Sequence, residues 1–262
     1  MRIVLFMIIC LIFWALPQQL FAADKSSRPS SGGTVVKDDF DAAFDDDFAD
    51  EFGENPSAED APLISDPLEG WNRGMFWVND KLYFYALKPV AKGFRLVPRP
   101  ARKSISNFFS NLATPVRAAN ALLQMKFRDT GTELGRFLVN STIGWGGLFD
   151  PAGYSLGWKK KSEDFGQTLG HYGVKSGWYL FLPLLGPSSI RDGVGMVADQ
   201  FLDPTRYVKM KEWEYYSLKI LEPINRLSLD PDTYEGVKRD ALDPYLFIRA
   251  AYAQHRLANI DK

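Results

Sequence analysis

The sequence predicts an all-α protein: a single, mainly helical domain with one short apolar hairpin. Three observations predict it. Apolar residues recur at helical spacing, as in Ile105, Phe108, Phe109, Leu112 and Val116, and again in Trp213, Tyr216, Ile220, Ile224 and Leu227. Asp-Pro pairs occur five times, and an Asp that caps free N–H groups followed by a Pro that has none is the chemistry of a helix start. Sustained period-two alternation, the mark of half-buried strands, is scarce.

At the N-terminus, Met1 and Arg2 form a short positive region and Ile3 to Leu16 is apolar. Pro17 interrupts it, and Leu20-Phe21-Ala22 offers small-residue cleavage geometry before Ala23. This is a secretory signal peptide over residues 1–22, of the bacterial type that addresses a chain to the periplasm of a Gram-negative cell. An uncleaved anchor is a rival reading, but the run from Ile3 to Leu16 falls short of the ~20 apolar residues that cross a bilayer. A lipoprotein signal is a second rival. It would acylate a cysteine, and the one cysteine, Cys10, comes early in the apolar run behind bulky Ile8 and Ile9. The expectation is therefore a mature chain with no lipid, no disulfide and no cysteine-based metal site.

Residues 23–62 read as a linker. Lys25 to Thr34 is rich in Ser, Gly and Pro, and then Phe40, Phe44, Phe48 and Phe52 recur every four residues among nine carboxylates between Asp38 and Glu54. Spacing of four puts the rings on one slowly drifting stripe, although such dense like charge disfavours an isolated helix. The segment reads either as a solvated acidic spacer or as an arm that docks its Phe stripe in a basic-rimmed groove.

The helical body spans residues 63–262. Its Asp-Pro marks are Asp66-Pro67, Asp150-Pro151, Asp203-Pro204, Asp230-Pro231 and Asp243-Pro244, and Tyr245, Ile248 and Tyr252 continue the helical pattern to the end. Gly144, Gly146 and Gly147 around Trp145 break the helix that runs through Leu134 and Phe137. The almost wholly apolar Gly177 to Gly186, with Trp178, Tyr179, Phe181 and Pro183, is too short to span a membrane. It suits a hairpin or re-entrant loop that enters a bilayer or packs within the body.

The formal net charge of -1 conceals two unlike parts: residues 1–60 net -8 and residues 61–262 net +7. Between Lys81 and Arg128 there are ten Lys or Arg, Arg95, Arg99, Arg102 and Lys103 among them, and no acid. Aromatic residues interleave with them and reach 14% of the chain. Cations beside rings suit a lipid interface, with charges at headgroups and rings at the acyl boundary. They also suit nucleic acid, against which export argues, or simply a solvated face over a core.

No catalytic, phosphate-binding, dinucleotide or zinc motif is present, and His171 and His255 are the only imidazoles, so no metal or cofactor is expected. Ser188 or Ser189 with His171 and Asp192 is the one grouping that could serve a hydrolase. The turn-like setting of His171 favours a structural role, and the chain is expected not to be an enzyme.

These residues carry a resemblance. Asp66-Pro67-Leu-Glu69-Gly-Trp-Asn72-Arg73, Leu169-Gly-His-Tyr-Gly173 and Leu182-Pro183 followed by Gly186-Pro-Ser188 and Arg191-Asp192 are similar, in order, to motifs of the MlaA (VacJ) family. Arg136-Phe137, Asn140 to Gly144, Gly147 to Asp150 and Asp243-Pro-Tyr245 add weaker patches. The resemblance implies a non-enzymatic outer-membrane component of the Mla pathway. It implies a helical ring lying in the inner leaflet, pierced by an amphipathic channel. Through it, phospholipid mislocalised to the outer leaflet passes to the periplasmic carrier MlaC, maintaining lipid asymmetry. A trimeric porin is the family's usual partner. On this resemblance Asp66, Pro67, Glu69, Asn72 and Arg73 are the family's N-terminal helix start. Gly144, Gly146 and Gly147 match its glycine break, and Pro183, Gly186 and Arg191 its apolar segment and polar exit.

Two features depart from the family pattern. A lipidated cysteine is missing from the expected mature chain, and the Phe arm stands where the short tether would be. The alternative function is a soluble periplasmic lipid-binding or scaffolding protein that recruits partners through its acidic arm.

Overall fold

A computed structural model describes residues 64–230 and 232–261. The signal peptide and the arm with Phe40, Phe44, Phe48 and Phe52 lie outside the described residues. The chain is mostly helical, as its spacing predicts. Helix α1 (Glu69–Leu82) runs through a π-helical stretch (Tyr83–Leu87) into α2 (Lys88–Phe94). There follow α3 (Arg99–Leu112), α4 (Thr114–Leu123), α5 (Phe127–Thr142), the single turn α6 (Pro151–Tyr154) and α7 (Phe165–His171). After strands β1 (Tyr179–Leu182) and β2 (Gly186–Ser189) come α8 (Ile190–Asp199), a 3-10 turn (Pro204–Arg206), α9 (Glu212–Leu229), α10 (Thr233–Asp240) and α11 (Pro244–Ile260).

Three of the Asp-Pro pairs cap helical turns. Asp150 accepts from Gly153 N–H, Asp203 from Thr205 N–H, and Asp243 from Tyr245 and Leu246 N–H. Two do other work. Asp230 ends α9 and accepts from Thr233 N–H across the turn into α10. Asp66 does not cap α1: its carboxylate faces α11, where Tyr245 Oη donates to it, and accepts from Asn72 Nδ2 at 2.7 Å. The stripe from Ile105 to Val116 is also two helices rather than one, because α3 stops at Leu112 and Pro115 opens α4.

The packing closes into a circuit. Helix α1 lies on β1, the rod continues to α2, α2 packs on α9, α9 on α3, α3 on α5, α5 on α4, α4 on α7, and α7 on α8 and α11. Those two helices pack on β2, whose partner β1 returns the path to α1. Helix α10 fastens the π stretch to this ring. Tyr234 Oη donates to Asp80 at 3.0 Å, Lys238 Nζ lies 2.5 Å from the same carboxylate, and Glu235 pairs with Lys88.

Burial is inverted relative to an ordinary soluble fold. Among the described residues 24 buried side chains are polar or charged and 12 are apolar, while 36 large hydrophobics are exposed. Every tryptophan among the described residues is at least 39% exposed. One small apolar core survives, where Tyr179, Phe181 and Tyr245 pack edge to face beside Phe76. No described helix is long and apolar enough to cross a membrane.

Candidate functional site: a cavity inside the ring

Within the ring lies a cavity of about 1280 Å³ that opens to solvent, larger than the ~300–1,000 Å³ of a drug-sized ligand site. Its walls come from α3, α4, α7, α8, α9, α11, the segment around Lys159–Asp164 and the hairpin. They are amphipathic. Phe109, Val116, Leu185, Met196 and Ile248 give apolar surface, and charged groups lie between them.

Most of those charges are anchored. On α4, Arg117 Nε lies 2.7 Å from Glu133 of α5, and its other nitrogens donate to Ser110 O and Thr114 Oγ1, both at 2.9 Å. Glu133 is fully buried, and its second oxygen accepts from Lys161 N–H at 2.8 Å. On α11, Arg256 grips both oxygens of Asp164 at 2.6 and 3.0 Å and lies 2.8 Å from Asp192 of α8. Asp192 also takes Arg191 Nε at 2.9 Å and Tyr252 Oη. Burial disfavours the Arg256 charge, but Asp164 and Asp192 outweigh it and raise its pKa further. Burial likewise opposes the Asp192 charge, and Arg256, Arg191 and Tyr252 overcome it and pull its pKa down. Asp199 goes the other way. Burial raises its pKa despite bonds from Phe165 N–H at 3.1 Å and Asn120 Nδ2 at 2.8 Å. Glu222, on the α9 wall, is also raised by desolvation, with Lys219 and Arg226 only partly offsetting it.

The signature near the N-terminus lies away from the cavity, in a latch that joins α1 to the hairpin and α11. Asn72 is fully buried and donates to Asp66 and to Tyr179 O at 3.0 Å, while its Oδ1 accepts from Phe181 N–H at 2.8 Å. Seven residues on, and so on the same face, Asn79 repeats the arrangement, donating to Leu182 O at 2.9 Å and accepting from Leu184 N–H at 2.8 Å. The free edge of β1 is thereby covered by amides. Arg73 pairs with Glu69 at 2.7 Å and Asp243 at 2.9 Å, with its guanidinium over the Tyr245 ring. Pro67 is exposed in the turn before α1.

The structure separates the other sequence candidates. Gly144, Gly146 and Gly147 form the turn after α5, outside the cavity wall. Gly147 (φ +88) lets the chain press against α3, where a Cβ would sit 2.5 Å from Asn111. Within the hairpin, Tyr179 and Phe181 are core residues, Trp178 is exposed, and Pro183 and Gly186 bound a tip whose Leu184 and Leu185 are exposed. Arg191 is buried and bonds Asp192 and Val174 O. Of the proposed headgroup cations, Arg95 and Arg102 instead cap the end of α9. Arg95 donates to Ser228 O and Asp230 O, Arg102 donates to Ser228 O at 2.5 Å, and that end of the helix offers free carbonyls. Lys103 is buried and Arg99 is exposed. The serine, histidine and aspartate do not form a triad. Ser189 caps α8, Asp192 is committed to two arginines and a tyrosine, and His171 is exposed against Tyr172.

Comparison with known proteins decides the family. The sequence profile of the MlaA lipoprotein family matches residues 64–259. The chain belongs to the MlaA family. It is 38% identical over 206 residues to the intermembrane phospholipid transport system lipoprotein MlaA of Escherichia coli K12, covering 76% of this chain and 79% of that one. Identity to the Haemophilus influenzae lipoprotein of the same name is 30% over 195 residues, covering 73% and 77%. An uncharacterised protein of Rickettsia bellii is 36% identical over 202 residues, covering 75% and 77%. A solved structure from work on the structural basis for maintenance of bacterial outer membrane lipid asymmetry superposes with a TM-score of 0.66 at 38% identity, covering 74% of this chain and 99% of that one.

Within the MlaA fold, then, the D-P-L-E-G-W-N-R motif closes the ring. Arg256 and Asp164, which hold the cavity, carry no mark in the sequence. Asn79 of the latch does: Asn72 and Asn79 stand at helical spacing beside the outward Trp71 and Val78, a polar stripe that reads as surface until the outer face proves apolar.

Proposed function

We infer that this chain is a component of intermembrane phospholipid transport that maintains outer-membrane lipid asymmetry. The observation that carries the inference is the inverted ring: apolar and tryptophan-rich outside, charged inside, around an amphipathic cavity. Exposed rings and aliphatic side chains are costly in water and favourable at the boundary between headgroups and acyl chains. A charged, hydrated lumen lets a headgroup cross a layer in which bare polar groups would cost several kcal/mol.

We further propose that the ring lies in the inner leaflet of the outer membrane and draws phospholipid from the outer leaflet. It hands that lipid to a soluble periplasmic carrier of the MlaC kind, beside a trimeric porin, by passage alone and with no bond made or broken. The chain is proposed to be held by its apolar exterior after cleavage near Ala22, without acylation at Cys10, although its curated relatives are named lipoproteins. Mass spectrometry of the mature N-terminus tests this, and an acylated cysteine would refute it. The arm 37–54 is proposed to dock a partner, and full activity after its deletion would reduce it to a spacer.

The function is tested by outer-leaflet phospholipid in cells lacking the protein. It should accumulate, return to normal with the wild-type chain, and remain high with Leu184→Glu at the hairpin tip. No accumulation on deletion would sink the proposal.

A further inference from the structure

The α9 wall of the cavity holds a carboxylate open to a donor. Glu222, Asn225 and Arg226 all line the cavity, and their i, i+3, i+4 spacing puts them on one helical face. Glu222 makes no hydrogen bond or ion pair among the described residues, although it is accessible to the cavity; its neighbour Lys219 is already held by Asp203. Asn225 is 1% exposed and donates through Nδ2 to Arg102 O at 2.9 Å, while its Oδ1 is buried with no donor. That oxygen is closed to the cavity and lies behind the site, so Glu222 is the acceptor a ligand can reach. What it lacks is a cationic donor with several N–H bonds. A primary ammonium is such a group.

One turn of helix separates Glu222 from Arg226, placing their Cβ atoms ~5–6 Å apart. This carboxylate and guanidinium form a charge doublet of opposite order to a short zwitterion. Arg226 carries five donors in a fork that suits phosphate, so it can serve a phosphate beside its contact within the protein. We propose that this face of α9 is a headgroup site for zwitterionic phospholipids bearing a primary amine. The ammonium donates to the Glu222 carboxylate, and the phosphate accepts from Arg226. A lipid with an uncharged glycerol headgroup offers no cation to Glu222. A quaternary amine offers charge but no N–H for that carboxylate.

The proposal rests on the cavity being a lipid path, and one experiment separates the two. The full-length chain is extracted in detergent from membranes holding both ethanolamine and glycerol phospholipids, and the bound lipid is quantified by mass spectrometry. Wild-type protein should carry an ethanolamine-to-glycerol ratio above that of the parent membrane. Glu222→Gln, which keeps the shape and breaks no hydrogen bond or ion pair among the described residues, should lower that ratio about threefold, the size of a partly solvated charge contact, by losing ethanolamine lipid while bound glycerol lipid is retained. Arg226→Gln should lower both lipids together. An unchanged ratio in Glu222→Gln, or a wild-type ratio equal to that of the membrane, overturns the headgroup site while leaving the lipid path standing. No co-purified phospholipid in any variant overturns both.

Discussion

Asn72 joins three parts of the ring through one amide. Replacing it with Ala would strand the buried Phe181 N–H and Tyr179 C=O, each a loss of about 1–3 kcal/mol. Asn72→Ala is therefore expected to destabilise the protein by about 2–5 kcal/mol, measured by denaturant titration in detergent. The cavity carboxylates predict a two-phase pH profile. Asp199 and Glu222 have raised folded pKa values, so the folded state binds protons more tightly than the unfolded one, and stability should rise as pH falls from neutral through those values. Asp192 and Asp243 are depressed, so their contribution is present above the ordinary carboxylate range and is lost as pH falls through their folded values. Thermal melts against pH should show the gain before the loss, and Asp199→Asn should shrink the gain.

At the scale of elements, the turn after α5 separates strain from crowding. Gly146 (φ +72) and Gly147 (φ +88) both occupy the left-handed region, where a side chain costs about 1–2 kcal/mol. A Cβ at Gly146 meets open space, whereas at Gly147 it meets Asn111 at 2.5 Å. Gly147→Ala should therefore destabilise the protein by ~1–3 kcal/mol more than Gly146→Ala through overpacking, read as the clearly lower melting temperature of the two. These elements were legible to different degrees. Helices such as α9 and α11 announce themselves through apolar spacing, and Asp150, Asp203 and Asp243 through capping. Asp66 misleads because its bonds are to Asn72 and Tyr245, residues 6 and 179 positions away, and local propensity carries no trace of such partners. The hairpin was readable as an apolar segment, but its division into buried Tyr179 and Phe181 and exposed Leu184 and Leu185 depends on α1 lying across it.

The whole molecule inverts the rule by which sequences are usually read. Helical periodicity of apolar residues marks the face that leaves water, and here Trp213, Tyr216 and Ile220 leave it outward rather than toward a core. The basic tract from Lys81 to Arg128 was equally ambiguous, since Arg102 and Arg117 spend their charge on a helix end and a buried glutamate. An exterior of this kind predicts that the protein stays in the membrane fraction through high-salt washing and needs detergent for release. Recovery in the soluble fraction would favour a periplasmic scaffold instead. The central claim, that phospholipid moves through the ring, is tested most directly at Ala113, an exposed cavity residue between α3 and α4. Ala113→Trp should narrow the lumen without disturbing the latch. In cells where the wild-type chain clears outer-leaflet phospholipid, a stably folded Ala113→Trp protein in normal amount should leave that phospholipid well above the wild-type level. Full clearance by the narrowed ring would contradict the account.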